Sequence, residues 1–210
     1  MAHPRNSTTI TKPFALLVEG GDDQAVLRRL VAHRSLCPGL RVFEYDGKSK
    51  LRQFLKTFSL TEGFRSELVS FGIIRDADDD AGAAVQQIQE ALRSLSLPVP
   101  DDVLVKATGR PSVAFLVLPG DGAKGCLEDV CLSAVNGAAL LGDAKAFVAT
   151  VCSKAARPPQ PTSKAIIHSF LATCHEPGLP LGTAAAAGFI DLSHSAFDQM
   201  ARLVKIVTAA

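Results

Sequence analysis

Neither acid nor base predominates in this chain: 22 Lys and Arg stand against 21 Asp and Glu, for a formal net charge of +1. The molecule as a whole therefore exerts no pull on a polyanion, and any nucleic-acid site has to be local. The five cysteines, Cys37, Cys126, Cys131, Cys152 and Cys174, are odd in number and form no Cys-x-x-Cys pair. That pattern argues against a zinc knuckle or a disulfide framework and leaves buried or idle thiols in a reducing compartment. No apolar run approaches the roughly 20 residues of a membrane span, and the opening Met-Ala-His-Pro-Arg-Asn-Ser has no signal-peptide core. The expectation is a cytoplasmic protein with no membrane partner. Internal repeats and low-complexity blocks are missing too, apart from the alanine run at residues 184–187.

What remains is an ordinary globular balance, 47% hydrophobic and 20% charged over 210 residues, enough for one substantial core with an appendage. Apolar strand-like runs at residues 14–18, 40–45, 69–74 and 113–118 alternate with helical patterns at 22–31, 50–60 and 81–95. Residues 103–105 are a further candidate strand. The alternation predicts an α/β fold with a mainly parallel sheet of about four strands flanked by helices. From about residue 143 the texture turns to alanine-rich helix, and Arg157-Pro-Pro-Gln-Pro161 reads as a stiff linker. The expected organisation is a polar leader (1–13), an α/β domain (14–142) and a helical extension packed on it (143–210).

Residues 69–80, Val-Ser-Phe-Gly-Ile-Ile-Arg-Asp-Ala-Asp-Asp-Asp, break from an apolar run into four carboxylates within five positions. The run reads as a buried parallel strand, so the acids fall at its carboxyl end, the edge where open α/β sheets bind ligands. On an extended backbone Asp76 and Asp78 project to the same side and can grip one cation. The alternative for residues 78–80 is a solvated loop, with Asp79 or Asp80 capping the helix that starts near Ala81; for Asp80 capping is the preferred reading. Asp76 is different. It follows the apolar run and Arg75 directly, where close acids repel unless protonated or neutralised by a cation.

Glu19 occupies the matching place after the first strand, followed by Gly20-Gly21-Asp22-Asp23 and a helix. Asp22 is the expected helix cap, and Asp23 reads equally as a first-turn acid or a ligand. Glu128 returns an acid near the end of another strand, with an exposed first-turn glutamate as its plain alternative. Gly120, Gly122 and Gly125 spell G-x-G-x-x-G, but helices rather than a βαβ unit follow, and no Gly-Lys-Ser/Thr closes a phosphate loop. Lys48 and Lys50, in the turn after the second strand, are solvated lysines or phosphate contacts. Lys164 stands in the first turn of a helix capped by Thr162 or Ser163, the end of the helix dipole that disfavours a cation. Carboxylates from several strand ends suit a hard, oxygen-ligated cation, Mg2+ or Mn2+, and phosphoryl-transfer chemistry.

Val18-Glu19-Gly20 after the first strand and Asp76-Ala-Asp78 after the third resemble the two signatures of the TOPRIM domain, shared by primases, topoisomerases, RecR-like recombination proteins and small nucleases. The resemblance covers residues 14–129. Within it the chain is most similar to the nuclease domains of OLD-type (overcoming lysogenization defect) proteins and to stand-alone TOPRIM proteins. Asp23, one helical turn after Glu19, Glu128 in Gly-Cys-Leu-Glu-Asp, and Lys164 in Thr-Ser-Lys-Ala match further acids and a lysine of the OLD nucleases. The resemblance implies metal-dependent cleavage of DNA or RNA, in phage defence or nucleic-acid processing. By that resemblance Glu19 and Asp23 would serve one metal or orient its water, Asp76 and Asp78 would bind the principal metal, Glu128 would support the second, and Lys164 would stabilise charge on the phosphate in the transition state. The chain departs from full OLD proteins in carrying no ATPase part, which points to a separate ATPase partner. Its one tyrosine, Tyr45, follows the second strand, which speaks against a topoisomerase.

Two other readings stay open. A catalytically silent TOPRIM module would bind nucleic acid or dock on an ATPase. A haloacid-dehalogenase-like phosphatase would use Asp76 as nucleophile, but leaves Glu19 unexplained.

Overall fold

β-Branched and aromatic residues concentrate in four short stretches, and these pair as a single sheet: β1 (Phe14–Val18), β2 (Leu40–Glu44), β3 (Ser70–Asp76) and β4 (Ser112–Leu118). The computed structural model describes residues 9–209; residues 1–8 of the polar leader lie outside the described residues. All strand pairs are parallel, in the order β2-β1-β3-β4. The α/β architecture predicted by the alternation of patterns is the one that forms. Residues 103–105 add no strand. Leu104, at φ 56°, leaves the extended region, and the segment is tied to β4 only by the Leu104 N–H to Phe115 carbonyl bond (2.8 Å) and an antiparallel bridge between Ala107 and Val113.

Parallel strands need crossovers, and helices supply them: α1 (Gly21–His33), α2 (Leu51–Ser59, preceded by a 3-10 turn at Lys48–Lys50) and α3 (Ala81–Arg93). Beyond β4 come α4 (Leu127–Ala134), α5 (Leu141–Lys154), α6 (Thr162–Leu171), α7 (Leu181–Ala186) and α8 (Asp198–Thr208). Side chains alternate across the sheet and so belong to two cores. Leu16, Val18, Ile74, Leu116 and Leu118 pack with α1, α4 and α6 to α8. Leu17, Phe71, Ile73 and Phe115 pack with α2 and α3, where Phe58 is in aromatic contact with Phe43, Phe54, Phe64 and Phe71. Both faces are covered, which is why the strand sequences read as continuous apolar runs.

Helix α8 returns from the carboxyl-terminal segment to lie against β1, β3 and β4. Its close approach depends on Gly72 in the middle of β3: a methyl group there would clash with Leu16 Cδ2 and sit 2.9 Å from Val207 Cγ2. Gly72→Ala is therefore expected to lower unfolding free energy by about 1–3 kcal/mol through overpacking. Adding Val207→Ala should recover part of that loss. Urea denaturation of the two variants checks this, and a Gly72→Ala protein as stable as the wild type would show that α8 does not pack as described.

Candidate metal centre

The chain leaves β1 through Glu19 and enters α1 with extended Gly20 as the N-cap. The Gly20 N–H donates to Asp23 Oδ2 at 3.0 Å. Asp23, the third residue of the helix, thus folds back as the cap-binding group, and Asp22 does not cap as expected, because the backbone turns one residue pair earlier. The same device recurs at α4, where the Cys126 N–H donates to Asp129 Oδ2 at 2.9 Å. An acid at this position satisfies one of the orphan N–H groups of the helix start.

Asp76 ends β3, and its Oδ1 accepts from the Leu127 N–H, at the first residue of α4, at 3.0 Å. The loop from β4 reaches this point through Gly120, Gly122 and Gly125, all at positive φ; a side chain at Gly125 would run into Asp129. These glycines serve a chain reversal rather than a dinucleotide loop. Gly125 and Asp78 exchange two backbone hydrogen bonds of 2.9 Å each, clipping the exit of β3 to the entry of α4. The clip puts Glu128 beside Asp76. Oxygen or sulfur atoms of Asp76, Cys126 and Glu128 all lie within 4.8 Å of one another.

Glu128 is 6% exposed and Asp23 8%, so the solvated-glutamate alternative for Glu128 does not describe this fold. Lys164, in the first turn of α6, places Nζ 3.3 Å from Glu128 Oε1. The cap of α6 is Pro161, not Thr162 or Ser163. Ser163 instead donates to Asp129 Oδ2 at 3.1 Å, drawing α6 onto α4. Asp80 caps α3, accepting from the Ala83 N–H at 2.9 Å.

Asp78 is not gathered in with the others. At φ 51° it breaks the extended backbone on which the two-apart argument rests, and its exposed carboxylate pairs with Lys48 Nζ at 2.6 Å. It stays close enough to Glu19 to raise that residue's pKa. Cys126 is the converse case. Assigned from the sequence to the buried or idle thiols, it lies among the acids, and its place two residues before Glu128 was the available signal. Burial and the neighbouring Glu128 and Asp76 push its thiol far up, so it is neutral. Tyr45 is a core residue whose hydroxyl donates to the Ile74 carbonyl at 3.2 Å.

The acids strain one another's ionisation. Burial, then the charges of Asp23, Glu19 and Glu128, push Asp76 up to about 9. Burial, with Glu128 and Glu19 behind it, pushes Asp23 up to about 7. Burial also raises Glu19, partly offset by the Arg75 guanidinium, and Glu19 Oε2 is buried without a hydrogen-bond partner. Burial works against a charged Lys164, but the Glu128 carboxylate more than offsets it and the lysine pKa rises. An orphaned carboxylate oxygen among mutually repelling acids is the environment a divalent cation fits.

An all-parallel sheet in this order, with a glutamate beyond the first strand and Asp-x-Asp beyond the third, is a TOPRIM-like fold. The chain is similar over 95% of its length to the C-terminal region of the Burkholderia pseudomallei OLD protein, covering 100% of that chain at 12% identity with a TM-score of 0.50. The C-terminal region of the Xanthomonas campestris pv. campestris OLD protein aligns with 94% of this chain and 85% of its own at 12% identity, with a TM-score of 0.40. Identities this low show the fold alone. No curated protein matches the chain. Residues 13–207 match the family described as "Protein of unknown function (DUF3226)", and the chain belongs to that family.

Fold and acidic cluster together point to divalent-cation binding, and the pKa shifts fix how it depends on pH. Folded, metal-free protein keeps protons on Asp76 and Asp23 that the unfolded chain releases above about pH 4. Its stability therefore falls as pH rises from about 4 through the folded values near 7 and 9. Mg2+ or Mn2+ has to displace those protons, so its thermal stabilisation should be larger at pH 8.5 than at pH 6. Asp76→Asn keeps the acceptor for Leu127 and is neutral without taking up a proton. In EDTA at pH 8 it should be more stable than the wild type by on the order of 1–3 kcal/mol, and it should lose the metal response. Thermal denaturation with and without metal measures both; an unaltered metal increment in Asp76→Asn would remove this residue from the centre.

Proposed function

We propose that this protein hydrolyses phosphodiester bonds of DNA or RNA at a Mg2+- or Mn2+-dependent centre formed by Glu19, Asp23, Asp76 and Glu128, with Asp78 at its rim. One observation carries the reading. Asp76 at the end of β3 and Glu128 at the start of α4 lie within 4.8 Å of each other, Asp23 and Glu19 are near enough to raise the Asp76 pKa, and a lysine arrives from a fifth element, α6. Mutually repelling acids alone suit any hard cation; a lysine beside them suits an anionic substrate that the cation also touches. When bound, such a cation supplies Lewis acidity to a phosphate oxygen and acidifies a coordinated water.

The chain's own residues have separable tasks in this reading. Asp76 has one oxygen committed to the Leu127 N–H, which fixes the carboxylate and leaves Oδ2 for the cation. Asp23 is held likewise through Gly20. Glu19, with an unpartnered oxygen, is the group placed to orient a water. Lys164 neutralises Glu128 before substrate binds, and its half-exposed ammonium is free to turn to a phosphate oxygen as charge builds there. The thiol of Cys126, neutral and donating to Asp129 Oδ2, borders the centre without serving as a ligand. The matched OLD chains are C-terminal regions of larger proteins, so a separate ATPase partner belongs to the proposal.

Purified protein incubated with labelled DNA and RNA panels in Mg2+, Mn2+ or EDTA tests it. Cleavage is expected with metal only. Asp76→Ala should abolish it, and Lys164→Ala should lower kcat about 100-fold with substrate affinity nearly intact, because the lysine acts on charge that develops in the transition state. Failure to cut any substrate with either metal, with and without an ATPase partner, makes the silent nucleic-acid-binding module the better account.

A further inference from the structure

Arg75 is the last residue before Asp76 on β3, and strand alternation sends its side chain to the opposite face of the sheet, toward α2 and α3. It is 4% exposed. One terminal nitrogen donates to Gln87 Oε1 at 2.6 Å, whereas Nε is buried with no partner. Among the described residues no carboxylate comes within 4.0 Å of the guanidinium; Glu19 feels it only through space. A guanidinium cannot shed its proton, and a buried cation with an unmet donor costs several kcal/mol. An anion is what would complete it.

The space for one is present. A cleft of about 370 Å³ opens between the 3-10 turn Lys48–Lys50 with α2 on one side and α3 on the other, and Arg75 lines it. Lys48 and Arg52 add two exposed cations, Ser49 a hydroxyl, and Glu90 is its one acid, so three positive charges face one negative. A second hollow, also about 370 Å³, shares Lys48, Ser49, Arg75 and Gln87 and runs on to Asp78 at the acidic edge of the sheet. The two form one groove from Arg52 to the rim of the metal centre. In a chain whose net charge is only +1, the Arg52 end of this groove is a local attraction for a polyanion, whereas Asp78, Asp79 and Asp80 line the other end.

We propose that this groove is a phosphate-binding subsite for a nucleic-acid strand laid across the acidic edge, with Arg75 as its buried anchor and Lys48 and Arg52 as rim contacts. The inference rests on the nuclease reading, and adds where the strand runs: past α2 and α3, on the face of the sheet away from Glu128. Arg75 would meet a phosphate oxygen through Nη1, the guanidinium nitrogen that neither donates to Gln87 nor is buried like Nε. Lys48 would exchange Asp78 for the phosphate.

The test uses the full chain in EDTA, where no cleavage occurs. The nitrogen-15 resonance of the Arg75 Nε–H, assigned by its loss in Arg75→Lys, is followed as oligothymidylate, oligouridylate or inorganic phosphate is added. A saturable shift with an oligonucleotide is expected. Arg52→Glu, a surface change, should weaken oligonucleotide binding about tenfold and reduce the slope of log K against log salt by about 0.7 for the lost contact. Asp76→Asn should leave the shift in place. Wild-type protein that shows the shift yet cuts nothing keeps the subsite and loses the nuclease reading. An unmoved Arg75 resonance with wild-type affinity in Arg52→Glu overturns the subsite even if the protein cuts. A shift with inorganic phosphate alone overturns the nucleic-acid assignment in favour of a small phosphorylated ligand.

Discussion

Repulsion among Glu19, Asp23, Asp76 and Glu128 is the constraint around which the carboxyl edge of this sheet is built. Burying the four together raises the proton affinity of Glu19, Asp23 and Asp76 and makes the metal-free edge costly at neutral and alkaline pH. The fold meets that cost with hydrogen bonds from the starts of two helices, Gly20 N–H to Asp23 and Leu127 N–H to Asp76, and with one ammonium, Lys164. Neither helix start cancels a full charge. A divalent cation does, which is why this edge is legible as a binding site rather than as a stretch of poorly solvated core.

Backbone geometry decides which acids join the cluster. The two-bond clip between Asp78 and Gly125 carries α4 to the end of β3, so Glu128 and Cys126 arrive beside Asp76, while the same turn rotates Asp78 away toward Lys48. Asp129, near Glu128 in sequence, is consumed in holding Cys126 and receiving Ser163. By drawing α6 in, Ser163 positions Lys164. A lysine at the unfavourable end of a helix dipole is thereby explained by a buried carboxylate across the gap.

Strand-helix alternation, the apolar runs and the acids at strand ends were readable because each depends on local period and on which residues can be buried. The prediction for Glu19 and Asp76 followed from their position just beyond buried strands, and the sheet does put β1 and β3 side by side. The resemblance of Val18-Glu19-Gly20 and Asp76-Ala-Asp78 to TOPRIM signatures pointed to the fold that the chain has. The caps of α1 and α6 were misread because Asp22, Thr162 and Ser163 all have capping chemistry, and only the path of the chain decides which residue meets the free N–H groups.

By itself, then, the order of residues determined the class of fold and the edge of the sheet where charge accumulates, because burial of apolar runs leaves little freedom in either. The tertiary structure alone decided that Asp78 turns outward, that Cys126 sits among the acids, that Lys164 meets Glu128 from 36 positions further along the chain, and that Arg75 is buried with no carboxylate beside it among the described residues. Each of these depends on a positive φ, a loop reversal or a helix docking, and such contacts join residues far apart in sequence, where no local pattern records them.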